Sequence, residues 1–471
     1  MGVGELLPEP RQTAGAGLLC GGLRECLRQL HGGPWRFLQL RGAAVDSRSV
    51  DHDDIDLLGT RESVDLLIAA AWAWMRAGKC HLHVVSRRPE KVELTLFSRD
   101  GRQRVQFDLW IVLAQFDGGR RQLVHADCEP WITDRQAGIG RLPVQMECCI
   151  YVQHLVAKRK AIRSDSCQQR LQDYRDRCAQ AGSTELAGLL ERIRKERRIG
   201  RQDAQQTLQR LDGTAGPRLQ AVPRNRLSGF VSKLRLSWLT EPRMTRLISL
   251  IGCDGAGKTT LAERIVAANP EAFRVVTGKR LYRGALLYKL AVIFLRPLIT
   301  RSRERFDDIL APVLYLRAAL SLRIRVLTTG RRVSLIDRSL VDFLYVDRKT
   351  DTPAFRWRWL TRLAGCRIPT IHCTASHETV MSRKQEITRA GHAAYDRDMF
   401  HELSRRVPTN YLAFNNDQPL SEAVSAMQCI LMRLLPEREM SRTPDSSGRE
   451  AAAVHRIGTS TDGDQPDRAA A

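Results

Sequence analysis

Apolar residues in this chain switch between alternating runs and helical spacing, and the switches divide it into three regions. Near the start the spacing predicts a helix over Leu18–Leu30, a strand over Trp35–Leu40 and a helix over Arg61–Ala77. Strands are expected at His81–Ser86, Lys91–Phe97 and Val105–Val112, and a helix from Cys148 to Ile162 ends this part. Residues 166–212 are polar and helical, with Leu186, Leu189, Leu190 and Ile193 on one face. Residues 213–245 carry Gly, Pro and Arg and read as a linker, with Trp238 available to dock on the third region. That region alternates strand and helix. Strands are predicted at Leu247–Ile251, Arg274–Thr277, Arg332–Ile336, Pro369–Thr374 and Tyr411–Phe414, and helices at Leu314–Leu327 and Leu420–Leu435. A further helix should begin near Ser376 and run through Ser382 to Arg389. That alternation implies a parallel sheet with helices on both faces.

One stretch carries chemistry. The apolar run Leu247, Ile248, Leu250, Ile251 ends in Gly252, and Gly257-Lys258-Thr259 completes G-x-x-x-x-G-K-[ST]. Leu261, Ala262, Ile265 and Val266 then keep helical spacing, so strand, glycine loop and helix follow in the order a P-loop needs. Glycines let successive N–H groups turn toward one anion, and the helix N-terminus adds positive partial charge. Gly252, Cys253, Asp254, Gly255, Ala256, Gly257, Lys258, Thr259 and Thr260 are the candidate ATP-binding residues. Lys258 would reach the β- and γ-phosphates, and the Thr259 hydroxyl would face Mg²⁺. Downstream, the buried strand at 332–336 ends in Asp337-Arg338, at the sheet edge where open α/β folds bind ligands. Asp337 would hold Mg²⁺ through water or orient the attacking phosphate, Arg338 would clamp the acceptor phosphate, and Asp342 follows one turn later.

Asp254-Gly255-Ala256-Gly257-Lys258-Thr259-Thr260 resembles the P-loop of thymidylate kinases, in which an aspartate at the position of Asp254 is typical. Asp337-Arg338 resembles their D-R motif, and Ser382-Arg383-Lys384-Gln385-Glu386-Ile387-Thr388-Arg389 resembles their arginine-rich lid. The resemblance implies transfer of the γ-phosphoryl group of ATP. Arg383, Lys384 and Arg389 would then neutralise developing charge, with Arg397 where the lid joins the next helix. It also places Asn415 and Asn416 near the adenine. The helix expected to hold the acceptor base reads Leu314-Tyr315-Leu316-Arg317-Ala318-Ala319-Leu320. It keeps Tyr315 and Arg317 but lacks the family's acidic partner, so thymidine monophosphate is not implied as acceptor.

The first region carries a second candidate centre. Asp54 and Asp56, in His52-Asp53-Asp54-Ile55-Asp56-Leu57-Leu58, alternate along a strand and point to one face, and Asp108 lies on a neighbouring strand. With Arg41-Gly42-Ala43 before them, they resemble the nucleotidyltransferase fold, in particular a bacterial branch with an R-G…D-I-D-L-L pattern. The usual serine after the glycine is absent here. The resemblance implies that Asp54, Asp56 and Asp108 hold Mg²⁺ for nucleotidyl transfer.

Composition narrows the partners. The formal charge of +23 over 471 residues favours anionic ligands. The run Arg192, Arg194, Lys195, Arg197, Arg198 has no interleaved aromatics, so nucleic acid is not the expected partner. A small-molecule acceptor (a nucleotide, sugar or sugar phosphate) is, and a homodimer is compatible with the sequence. The twelve cysteines show no C-x-x-C pair, which fits reduced thiols and a cytoplasmic location. No signal peptide is expected, and Ala285–Thr300 is too interrupted by Lys289, Arg296 and Pro297 to span a bilayer. His372 and His377 read as structural.

The fold class expected is α/β. A flexible N-terminus (1–16) precedes an α+β nucleotidyltransferase-like domain (17–162) and a helical region with linker (163–242). A thymidylate kinase-like P-loop domain (243–436) and a disordered tail (437–471) follow. A P-loop phosphotransferase is the first functional expectation. A nucleotidyltransferase of surface-polysaccharide synthesis and a non-catalytic ATP-binding switch are the others.

Overall fold

The computed structural model describes residues 19–41, 54–136, 138–158, 162, 164–212, 219–222, 247–277, 292–299, 310, 312–313, 317–318, 321, 332–338, 342, 368–384, 388–405 and 409–435. The expected flexible N-terminus, the tail, most of the linker with Trp238, and most of the 314–327 helix with Tyr315 lie outside these residues. By packing, the chain divides into residues 1–430 and a second unit from Leu431. The sheets and both candidate sites lie within the first unit.

The fold is mixed α/β. Its first part runs α1 (Gly21–His31), β1 (Phe37–Arg41), β2 (Ile55–Gly59), α2 (Arg61–Arg76), β3 (His81–Arg88), β4 (Lys91–Phe97) and β5 (Arg104–Trp110). The short strands β6 (Leu113–Phe116), β7 (Arg121–Leu123), β8 (Asp134–Gln136) and β9 (Ile139–Arg141) follow, with helix α3 (His125–Cys128) among them. Helices α4 (Val144–Lys158), α5 (Asp165–Gln180), α6 (Thr184–Glu196) and α7 (Arg201–Asp212) come next, then β10 (Gln220–Ala221). The rest comprises β11 (Leu247–Ile251), α8 (Lys258–Ala268), β12 (Phe273–Thr277), β13 (Val333–Asp337) and β14 (Thr370–Thr374). It closes with α9 (His377–Arg383), α10 (Arg389–Ser404), β15 (Thr409–Asn415) and α11 (Leu420–Leu434).

One twelve-stranded sheet holds most of this, in the order β12-β13-β11-β14-β15-β3-β4-β5-β2-β1-β9-β8. Its first five strands are parallel. Each residue of β11, β13 and β14 is buried, as sheets covered on both faces require. Burying each Leu or Ile there is worth about 1.5–3 kcal/mol. The sheet does not stop at β15. Strand β3 pairs with it antiparallel, Leu412 opposite His83 and Ala413 opposite Leu82. Helix α2 packs over this join: Trp72 stacks on Phe400 of α10, with ring centroids 4.4 Å apart. Helices α4 to α7 share one core with β1, β2 and β6, including Leu38, Leu58, Phe116, Val152, Leu171 and Leu190.

The lid segment departs from the continuous helix expected. Helix α9 ends at Arg383, and Lys384 is extended (φ −161°, ψ 118°). Thr388 then starts α10 by accepting a hydrogen bond from the Gly391 N–H. A threonine in this position favours a cap over continuation of the helix.

Candidate functional site

The loop after β11 is built by backbone that side chains would obstruct. Gly252 has φ 142°, and a Cβ there would stand 2.3 Å from the Cys373 carbonyl oxygen of β14. Gly257 has φ 82°, and its Cβ would meet Asn416 Nδ2 at 2.6 Å. The glycines thus give the turn its left-handed residues and let neighbouring strands close on it. Lys258 is buried and folds back, its Nζ donating to the carbonyls of Gly252 (2.7 Å) and Cys253 (2.8 Å). Thr259, in the first turn of α8, donates its hydroxyl to Asp337 Oδ2 at 2.8 Å.

Asp337 ends β13, the strand beside β11, so sheet register sets that distance. Its Oδ1 is buried without a hydrogen-bond partner among the described residues. An orphaned carboxylate oxygen beside a threonine hydroxyl is a fitting donor set for Mg²⁺. Arg338 adopts φ 68°, a left-handed conformation for a bulky residue. It swings its guanidinium to Asp254, where Nη2 donates to Oδ1 at 2.8 Å. Lys384 Nζ approaches the other oxygen of Asp254 at 3.5 Å. Arg383 lies against the loop, with Nη2 3.5 Å from the Asn416 carbonyl. Arg389 opens α10 and is exposed, and Arg397 is an exposed residue beside Asp398.

Of the residues expected from the sequence, the loop, Asp337, Arg338, Arg383 and Lys384 come together. Among the described residues, Arg389 is not bonded to them. Two residues that hold this site were not anticipated in that role. Asn416 Nδ2 donates to the Ala256 carbonyl at 2.8 Å, and its N–H donates to Thr374 at 2.7 Å, tying β15 to the loop. Tyr395 accepts from the Gly252 N–H at 3.2 Å and donates to Asp342 Oδ1 at 2.5 Å. The resemblance places Asn416 near the adenine but not against Ala256, and Tyr395 belongs to no contiguous motif, so spacing carried no signal for it. His372 is fully buried, with Tyr411 Oη 2.7 Å from Nδ1 and Asp396 Oδ1 3.2 Å from Nε2.

The second acidic set lies elsewhere. Asp56 and Asp108 face each other in register across the parallel strands β2 and β5, and both are buried. Asp54, just before β2, is exposed. Trp110 Nε1 donates to Asp56 Oδ1 at 3.1 Å, and Lys91 Nζ pairs with Asp108 Oδ2 at 2.6 Å. Burial, and next the charge of Asp56, push the Asp108 carboxyl up to about 6 despite Lys91. Its Oδ1 is buried without a hydrogen bond among the described residues. Strands β14, β15, β3 and β4 separate this set from the loop after β11, a spacing of roughly 24 Å at about 4.8 Å per strand step. The two acidic sites therefore share no reacting group.

Among the described residues no helix is long and apolar enough to cross a membrane. No protein-family model matches the chain, and no curated protein does. Among solved structures, the crystal structure of a gluconokinase from Sinorhizobium meliloti 1021 is similar at 15% identity and a TM-score of 0.21. The match covers 41% of this chain and 96% of that one.

Proposed function

We propose that the chain is an ATP- and Mg²⁺-dependent phosphotransferase resembling thymidylate kinases, moving the γ-phosphoryl group to a nucleotide or another small phosphorylated acceptor. The observation that carries this reading is the Thr259–Asp337 pair, with Asp337 Oδ1 left bare at the mouth of a phosphate-binding loop. Thr259 and Asp337 would hold Mg²⁺, which supplies charge neutralisation on the transferred group. The N–H groups of the loop cradle the donor phosphates. Lys258 leaves the carbonyls of Gly252 and Cys253 to reach them. Arg338 exchanges Asp254 for the acceptor phosphate, where its planar fork matches two oxygens. Of the lid cations, Lys384 meets Asp254 of the loop and Arg383 the Asn416 carbonyl, whereas Arg389 is exposed at the start of α10.

The test is incubation of the full chain with ATP, Mg²⁺ and a panel of nucleoside monophosphates, sugars and sugar phosphates, with products read by mass. A product heavier by one phosphate, absent with Lys258→Ala, supports the proposal and identifies the acceptor. Equal turnover by Lys258→Ala refutes this site. ATP binding without any product favours a nucleotide-binding switch.

A second reading rests on Asp56 and Asp108. Their register and the bare Asp108 Oδ1 suit a nucleotidyltransferase centre, with Asp54 as third carboxylate and a sugar or sugar phosphate as acceptor. A product heavier by a whole nucleotide, made by Lys258→Ala and lost with Asp56→Asn, selects it.

A further inference from the structure

The loop after β11 also carries the Cys253 thiol, a side chain that the phosphate reading leaves unused although the Cys253 backbone belongs to the loop. The Cys253 thiol, a ring nitrogen of His392 and a carboxylate oxygen of Asp396 all lie within 4.8 Å of one another. All three residues are buried, at 1%, 1% and 2% exposure. His392 and Asp396 are one turn apart on α10, so both project from one face. The Gly252–Tyr395 hydrogen bond docks that helix against the loop carrying Cys253. Among the described residues His392 Nε2 makes no hydrogen bond, and it stands 3.5 Å from Asp396 Oδ2. A buried ring nitrogen without a hydrogen bond is costly, and nothing in the phosphate chemistry uses this one.

We propose that Cys253, His392 and Asp396 form a binding site for a divalent cation of the zinc class, tying the loop to α10. Thiolate, imidazole and carboxylate together suit Zn²⁺ or Co²⁺, whereas Mg²⁺ selects oxygen ligands alone. The site is therefore distinct in chemistry from the Thr259–Asp337 pair. His377 packs beside His392, ring centroids 5.8 Å apart, but lies outside the mutually close group, so the three ligands leave a fourth position for water. Support around the ligands is already present. His372 holds Asp396 Oδ1 and is itself fixed by Tyr411, the arrangement that orients a ligating carboxylate. Arg76 is also ion-paired to Asp396 and competes with a cation for that carboxylate. Cys253 and His392 accordingly carry most of the affinity.

The experiment is titration of the full chain with Co²⁺, following thiolate-to-cobalt charge-transfer absorption, with Zn²⁺ added to displace it. The expected result is a single Co²⁺ showing the band. The band should disappear with Cys253→Ser, and His392→Gln should weaken binding by about tenfold or more. Should Cys253→Ser fail to fold, His392→Gln decides, with circular dichroism confirming its fold. Absence of the band in the native chain, or a band of unchanged affinity in His392→Gln, overturns the proposal.

Discussion

Arg338 donates to Asp254 across the mouth of the loop, Nη2 to Oδ1 at 2.8 Å, although the two lie 84 residues apart. The sequence singles out each on separate grounds, one from the P-loop and one from the D-R pair. Under the proposed function, this contact would station the arginine before an acceptor phosphate binds. Charge-assisted hydrogen bonds of this kind are worth about 1.5–3 kcal/mol. Asp254→Asn should lower kcat/KM about tenfold, since about 1.4 kcal/mol corresponds to that factor. Arg338→Lys should lower it comparably, and the double variant should lose little more than either single one. Steady-state kinetics of the three variants checks this. Additive losses would separate the two residues.

Asp337→Asn keeps an oxygen for the Thr259 hydroxyl but removes the charge that the proposed Mg²⁺ would meet. Its expected effect is a higher Mg²⁺ requirement and strongly reduced turnover, with metal-free nucleotide binding retained. Mg²⁺ titration of activity, beside nucleotide binding in chelator, tests it. An unchanged Mg²⁺ dependence would remove Asp337 from the metal site.

Asn416→Ala leaves the Ala256 carbonyl without its buried partner. The loss is about 1–3 kcal/mol, shared between nucleotide affinity and stability. Calorimetric nucleotide binding and denaturant unfolding measure both. Wild-type values in both would show that β15 does not hold the loop.

Asp108 gives a pH signature. Its folded-state pKa, about 6, lies above its ordinary value near 3.8. The folded chain therefore holds that proton more tightly than the unfolded chain. Its contribution to stability is complete below about pH 4 and is lost as pH rises through about 6. Asp108→Asn should flatten that slope and stabilise the fold at neutral pH, while abolishing any nucleotidyl transfer. Unfolding curves from pH 4 to 8 check the sign.

Much of the local geometry of the candidate phosphate loop was legible because it is contiguous. The glycines, Lys258 and Thr259 lie within one strand–loop–helix unit, and hydrophobic spacing located β11, β13, β14 and β15 to within a residue or two. Asp337 and Arg338 were legible because a buried strand ending in Asp-Arg is a local pattern. The break between Arg383 and Arg389 was also written locally, in Thr388, but its capping role was outweighed by helical spacing on either side.

What the sequence determined by itself was the set of local conformations: which runs bury as strands, which loop can turn its N–H groups inward, and which acids alternate on one face. The tertiary structure decided which of these meet. The pairing of β3 with β15, the Asn416 tie to Ala256, the docking of Tyr395 on Gly252 and the meeting of Cys253 with His392 and Asp396 all join residues far apart in the chain. Such contacts depend on strand order and helix packing, which short-range spacing does not encode. The same strand order puts four strands between the loop after β11 and the pair Asp56 and Asp108, and so makes them a separate centre.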